Sequence, residues 1–231
     1  MSEYLSNIEL YYSKPENINN NIIFVDGLDF NHIVKVMRHK IGDELNITDG
    51  IGNIYYVGIE NISNDHLTVK INDTKTYSNR FKNITVCIPN LNKTDRIEFA
   101  IEKATELGIT NFIIFNSKRT NQKKIREERL NKISLSAMKQ SLNSYLPKIL
   151  IYNSLSFLND TDNEIILFDQ KGKNIFSADI FNPEKKYILL FGPEGGFEEG
   201  EIPLEVDKSI YKLAPNRLRT ENAVVCALSK L

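Results

Sequence analysis

The chain has 231 residues, 41% hydrophobic and 26% charged, which is ordinary for a globular protein and long enough for one large core or two modest ones. No run approaches the roughly 18 uncharged apolar residues of a membrane span, and Met1-Ser2-Glu3-Tyr4 starts no basic-then-apolar leader, so a cytoplasmic location with no membrane partner is expected. The net charge of −1 is unevenly spread, with −5 over 1–75, +8 over 76–150 and −4 over 151–231, so the middle third carries either a local contact for a polyanion or a solvated helix face.

Residues 1 to about 75 read as a small β-rich domain. Short apolar runs recur at 8–12, 22–25, Glu44–Thr48, 54–59 and 67–71, separated by hairpin turns such as Thr48-Asp49-Gly50-Ile51-Gly52-Asn53. That spacing suggests a small barrel or sandwich. Residues 29–38 break the pattern with helical spacing, placing Phe30, Ile33, Val34 and Met37 on one face, with Asp29 or Asn31 as the cap. His32, Lys35 and Arg38 fall outside that stripe, as nucleic-acid contacts or as the wet side of a surface helix. Residues 73–83 have no period and read as a linker, so the domains divide as 1–75 and 76–231.

From residue 84 strands alternate with helices, the pattern of a parallel sheet with helical crossovers. Ile84–Pro89 is the first strand. The helix at 93–107 has Ile97, Ala100, Ile101 and Ala104 on one face, a capping box in Asp95 and Glu98, and Gly108 beyond its end. Asn111–Phe115 is the next strand. A helix at 127–142 buries Leu130, Ile133 and Ala137 and ends before Pro147. Strands follow at 165–168, Tyr187–Phe191 and 209–213, with a short helix expected at 199–206 and a last helix from 223, capped by Thr220.

Three of these strands end in loops rich in polar residues, the first two with glycine: 169–172, 192–200 and 214–222. In a parallel sheet such loops share one edge, where ligands bind. The centre of the arrangement is Leu189-Leu190-Phe191-Gly192-Pro193-Glu194-Gly195-Gly196-Phe197, a buried strand that opens into a glycine turn. Taken alone that turn is either a sharp strand exit or a place where backbone approaches a ligand. Arg219 and Glu221 in the last loop could pair with each other or serve a site. Neither common phosphate-binding glycine pattern is present, nor is a Ser/His/Asp or Cys/His arrangement. Cys87 and Cys226 read as small hydrophobes, and three His with two Cys show no metal-ligand spacing, so no metal is expected.

Several of these residues together resemble the RsmE family of 16S ribosomal RNA uridine-N3 methyltransferases. The carriers are Gly192-Pro193-Glu194-Gly195-Gly196-Phe197 with Leu218-Arg219-Thr220-Glu221, and His32-x-x-x-Val36-x-Arg38 with Gly42-Asp43. Lys93-x-x-Arg96 leading to Glu102-Lys103-Ala104-Thr105-Glu106-Leu107-Gly108 also fits, as do Ser117-x-Arg119 and Gln140-Ser141 with Pro147, in the family's order over about residues 30–228. Two positions depart: Asn222, where the family usually has Thr, and Leu142-Asn143, where it often has Gly-Arg.

The resemblance implies a PUA-like β-barrel that binds RNA, followed by a SPOUT-type α/β methyltransferase domain with a trefoil-knotted parallel sheet. It implies a homodimer acting on 16S ribosomal RNA, within the small subunit, with S-adenosylmethionine as cofactor. Carried over, the cofactor residues are Leu167, Phe168, Phe191, Gly192, Pro193, Glu194, Gly195, Gly196, Leu213, Leu218, Arg219 and Thr220. Uridine N3 carries a proton, so transfer to it needs a cation near the flanking carbonyl oxygens to favour the developing anion. Arg219 is the candidate for that role, and Glu221 for the base or for an orienting partner of Arg219. Arg38, Lys93, Arg96, Arg119, Lys123 and Lys124 are the candidate RNA contacts. Two alternatives stay open: a knotted enzyme acting on transfer RNA or a ribose hydroxyl, and a non-catalytic RNA-binding factor on the same fold.

Overall fold

The computed structural model describes residues 8–120 and 124–231. Two compact units form, one of the described residues up to Asn79 together with Met138–Leu146, the other of Arg80–Ala137 and Pro147–Leu231.

The first unit holds β1 (Leu10–Tyr12), β2 (Ile18–Asn19), β3 (Ile22–Asp26), α1 (Gly27–Asn31), β4 (Glu44–Thr48), β5 (Asn53–Ile62) and β6 (His66–Thr76). They make one six-stranded sheet, β1-β4-β5-β6-β3-β2, antiparallel except for the β1–β4 pair. Alternate residues such as Ile23, Val25, Ile47, Val57, Leu67 and Val69 pack into one core. That is the period-2 burial expected of a sheet with one face inward. The predicted 29–38 helix starts and ends two residues earlier: α1 passes into one π-helical turn, His32–Val36. The predicted linker gives way to strand as far as Thr76, because 73–76 find partners along β5 from Tyr56 to Asn53.

Met138–Leu146 joins this unit through specific polar contacts. The Lys139 ammonium lies 2.6 Å from the Asp29 carboxylate, Gly52 N–H donates to the Ser144 carbonyl at 3.0 Å, and the Tyr145 hydroxyl donates to the Tyr77 carbonyl at 2.8 Å.

The second unit is a seven-stranded, wholly parallel sheet. It is built from β7 (Ile84–Pro89), β8 (Asn111–Phe115), β9 (Lys148–Tyr152), β10 (Glu164–Phe168), β11 (Asn174–Ile175), β12 (Tyr187–Phe191) and β13 (Lys208–Lys212), with α2 (Thr94–Glu106), α3 (Glu127–Gln140) and α4 (Thr220–Leu228). The order is β11-β13-β10-β12-β7-β8-β9. Every residue of β12 is buried, as a central parallel strand covered on both faces must be. Ile166, Phe168, Leu189 and Phe191 face one core with Ile97, Ala100, Ile101 and Ala104 of α2 and Val224, Ala227 and Leu228 of α4. Ile165, Leu167, Ile188 and Leu190 face the other, with Cys87, Leu155 and Leu158.

Three predicted details change. Lys93, not Asp95, holds the N-cap position of α2, and Glu98 instead pairs with Arg129. Residues 199–206 form turns and no helix, since the Glu201 carboxylate accepts the Glu198 and Lys118 N–H groups and Pro203 lies in the middle. Thr220 is the first residue of α4, not its cap. β9, unassigned in the sequence reading, is the run after Pro147 that pairs with β8. Among the described residues no helix is long and apolar enough to cross a membrane, and no cluster of three His, Cys, Asp or Glu could hold a metal.

Candidate active site

Because β10 pairs in parallel with both β12 and β13, the three loops that follow these strands leave one edge of the sheet side by side. After Phe191 the chain turns at once, the Gly196 N–H donating to the Pro193 carbonyl at 2.8 Å, with Gly196 at φ +71° in the region that favours glycine. After Phe168, Gly172 lies against β13, and a Cβ there would stand 2.5 Å from the Lys212 backbone nitrogen, so only glycine lets the two segments approach.

The loops are tied to one another. The Thr220 hydroxyl donates to the Gly192 carbonyl at 2.7 Å, and the Gln170 side-chain amide donates to the Asn216 carbonyl at 2.9 Å. The Arg217 guanidinium donates to the Glu194 carbonyl, and the Arg119 guanidinium donates to the Gly195 carbonyl. The carbonyls of Gly192, Pro193, Glu194 and Gly195 therefore all accept hydrogen bonds, whereas the Glu194 and Gly195 N–H groups donate to no described residue. A turn arranged this way offers its amides to a ligand.

Between the loops lies a cavity of about 360 Å³. Phe168, Phe191, Leu213, Leu218 and Ala223 are its apolar lining, Asp169, Gln170, Arg217 and Thr220 its polar lining, and 192–197 complete it. Of the residues expected at a cofactor, Phe168, Phe191, Gly192, Pro193, Glu194, Gly195, Gly196, Leu213, Leu218 and Thr220 are brought together here. Leu167 packs on the opposite face of the sheet, with Ile165 and Leu190. Arg219 lies between two lining residues, exposed, in extended conformation just before α4, and its side chain has no partner among the described residues.

Of the two readings left open for Arg219 and Glu221, mutual pairing does not occur. Glu221 is buried, its Oε1 3.5 Å from Arg96 Nε, and its Oε2 is buried with no hydrogen-bond partner among the described residues. The same Arg96 guanidinium pairs with the Glu194 carboxylate. Arg119, besides its bond to Gly195, stands 3.7 Å from Glu198. Two of the candidate RNA contacts thus belong to the frame of the glycine loop. Lys93 and Lys124 are exposed, as is Arg38 in the first unit, and Lys123 lies outside the described residues. Sequence reasoning missed Asp169, Gln170, Phe197, Arg217 and Ala223; all five fall within or beside the three loops it singled out, and that convergence was the signal that could have named them.

Comparison with known proteins agrees with this architecture. The RNA methyltransferase domain family matches residues 78–231, and the RNA methyltransferase PUA domain family matches 25–72. Ribosomal RNA small subunit methyltransferase E of Bacillus subtilis is 31% identical over 226 residues, covering 90% of this chain and 88% of the relative. The crystal structure of a probable rRNA-methyltransferase from Porphyromonas gingivalis superposes with a TM-score of 0.84 at 26% identity, covering 96% of both chains. Ribosomal RNA small subunit methyltransferase E from Neisseria gonorrhoeae, solved bound to S-adenosyl methionine, shares the fold with a TM-score of 0.80 at 22% identity over 96% of this chain and 95% of that one. The chain therefore belongs to the RNA methyltransferase family, with a PUA domain ahead of its methyltransferase domain.

Proposed function

We propose that this protein methylates N3 of a uridine in 16S ribosomal RNA of the small subunit, using S-adenosylmethionine, as a cytoplasmic homodimer. The observation that carries the reading is the cavity at the carboxyl edge of β10, β12 and β13, with open loop amides and, beside it, an exposed guanidinium that pairs with none of the described residues.

The cavity suits the donor. Its volume of about 360 Å³ falls in the range of small-molecule sites. Phe168, Phe191, Leu213, Leu218 and Ala223 would hold a purine, and the Glu194 and Gly195 amides would meet its polar edge or the sugar. The Asp169 carboxylate suits hydroxyls or an ammonium group. When bound, S-adenosylmethionine supplies an electrophilic methyl carbon on a sulfonium.

The chain's own residues do the rest. As the N3 proton passes to solvent water, negative charge spreads over the two flanking carbonyl oxygens, and the Arg219 guanidinium stabilises it there. Arg219 is free for this because Glu221 is turned inward on Arg96. Thr220, bonded to Gly192, fixes the end of the strand-to-helix turn that carries Arg219. The interlocked loops hold the reacting groups in line, an effect worth roughly 7–11 kcal/mol for well-oriented reactants. Lys93, Lys124 and Arg38 supply phosphate contacts from exposed positions, and the uridine is unpaired or turned out of its stack. The trefoil knot belongs to this reading as well.

The test is to incubate the protein with isotopically labelled S-adenosylmethionine and small subunits lacking the modification, then digest the RNA and locate the label by mass spectrometry. Label on uridine N3 is expected. Label on another atom, or none, overturns the reading. Arg219→Ala should fold normally and transfer methyl at least about tenfold more slowly, equivalent to about 1.4 kcal/mol.

A further inference from the structure

Arg96 sits on the first full turn of α2, yet its guanidinium is committed to two acids brought from elsewhere in the chain. One is Glu194, in the middle of the glycine loop; the other is Glu221, on the first turn of α4. The burial is graded, with side-chain exposure of 35% at Glu194, 19% at Arg96 and 10% at Glu221. Among the described residues Glu221 Oε2 has no hydrogen-bond partner, and Arg96 is the cation on which this buried carboxylate depends. A phosphate contact needs a guanidinium free to face the solvent, and this one faces inward on both sides. The planar guanidinium turns separate nitrogens to the two acids, Nη1 to Glu194 and Nε to Glu221, a fixed geometry that a rotatable ammonium does not hold. The first turn of α4 grips the loop twice, through the Thr220 hydroxyl at Gly192 and through Glu221 and Arg96 at Glu194.

We propose that Arg96 is a positioning residue for methyl transfer: it pins the Glu194 turn of the glycine loop to α4 through Glu221, and so holds the cavity wall in the form that binds the methyl donor. The donor-binding part rests on the function proposed above. The loop-ordering part does not, because it concerns the protein with nothing bound.

The experiment measures both. Hydrogen exchange followed by mass spectrometry on the cofactor-free protein should show the protected amide of the 192–197 loop, that of Gly196, exchanging at least tenfold faster in Arg96→Ala, with Tyr187–Phe191 unchanged. Titration calorimetry should show S-adenosylmethionine binding at least tenfold weaker. RNA affinity should keep its slope against salt, which a lost phosphate contact would make shallower. Arg96→Lys keeps the charge and covers the case of an alanine variant that does not fold; it should melt with the wild type and bind the donor at least threefold more weakly. Unchanged exchange at 192–197 overturns the positioning role, as does a shallower salt slope with donor affinity intact. Wild-type protein that binds no S-adenosylmethionine overturns the functional reading instead, a separate failure.

Discussion

Two glycine-bearing turns in this molecule look alike in sequence and behave in opposite ways. In the first unit, 49–53 closes on itself. The Asp49 carboxylate accepts the Ile51 N–H at 2.9 Å, the Asn53 N–H at 3.1 Å, the Asn53 side-chain amide at 2.6 Å and the Tyr55 hydroxyl at 3.0 Å. Gly50 N–H donates to the Thr48 hydroxyl and Gly52 N–H to the Ser144 carbonyl. Every amide from Gly50 to Asn53 is thus consumed. In the second unit, the glycine loop after β12 has its carbonyls consumed, by Thr220, Arg217, Arg119 and its own Gly196 amide, and leaves donors open. A carboxylate inside a turn uses up donors and makes a structural joint. Hydroxyl and guanidinium groups around a turn use up acceptors and make a site.

The largest effect that would break this contrast is expected at the closed turn. Asp49→Ala leaves the amides of Ile51 and Asn53 and the Tyr55 hydroxyl without the carboxylate that accepts from them, which is itself only 2% exposed. It should destabilise the protein by roughly 3 kcal/mol in urea unfolding, the scale of losing a buried charged acceptor. A loss below about 0.5 kcal/mol would show that the turn closes without its carboxylate.

The contrast also marks what could be read before the structure. β12 is legible because a strand buried on both faces is an unbroken apolar run, and the site because three parallel strands end in polar loops, two of them bearing glycine. The direction of the hydrogen bonds was not legible. Arg96 and Glu194 stand 98 residues apart, and no local pattern says that they pair. Met138–Leu146 was read as helix end and loop of the second domain, whereas Lys139, Ser144 and Tyr145 bond to Asp29, Gly52 and Tyr77 of the first unit. The expected helix at 199–206 fails for the same reason, since a Glu201 side chain buried against two amides overrides local propensity.

A smaller effect sharpens the open side. Thr220→Val keeps shape but removes the donor to the Gly192 carbonyl, so stability should fall by about 1 kcal/mol. Because that bond joins two cavity walls, S-adenosylmethionine affinity should fall with it, whereas Asp49→Ala assayed below its melting temperature should leave that affinity alone. Calorimetric titration of both variants decides whether the two turns are as separate in role as in geometry.

The smallest effect lies in the pH dependence of the closed turn. Burial first, and then the hydrogen bond to Asp49, push the Tyr55 phenol up from 10.0 to about 12. The folded state therefore keeps this proton where the unfolded chain has lost it. Stability falls with pH wherever the unfolded state binds fewer protons. The Tyr55 contribution is fully present below pH 10, the ordinary tyrosine value, and is lost as pH rises toward 12. Tyr11, Tyr12 and Tyr77 are shifted the same way, chiefly by burial, so the wild-type slope has several sources. Tyr55→Phe removes one of them: the variant should be slightly less stable at pH 8, and its unfolding free energy should fall less steeply between pH 10 and about 12 than that of the wild type. Parallel curves from urea unfolding across that interval would mean that the phenol titrates alike in both states, and that Asp49 does not hold its proton.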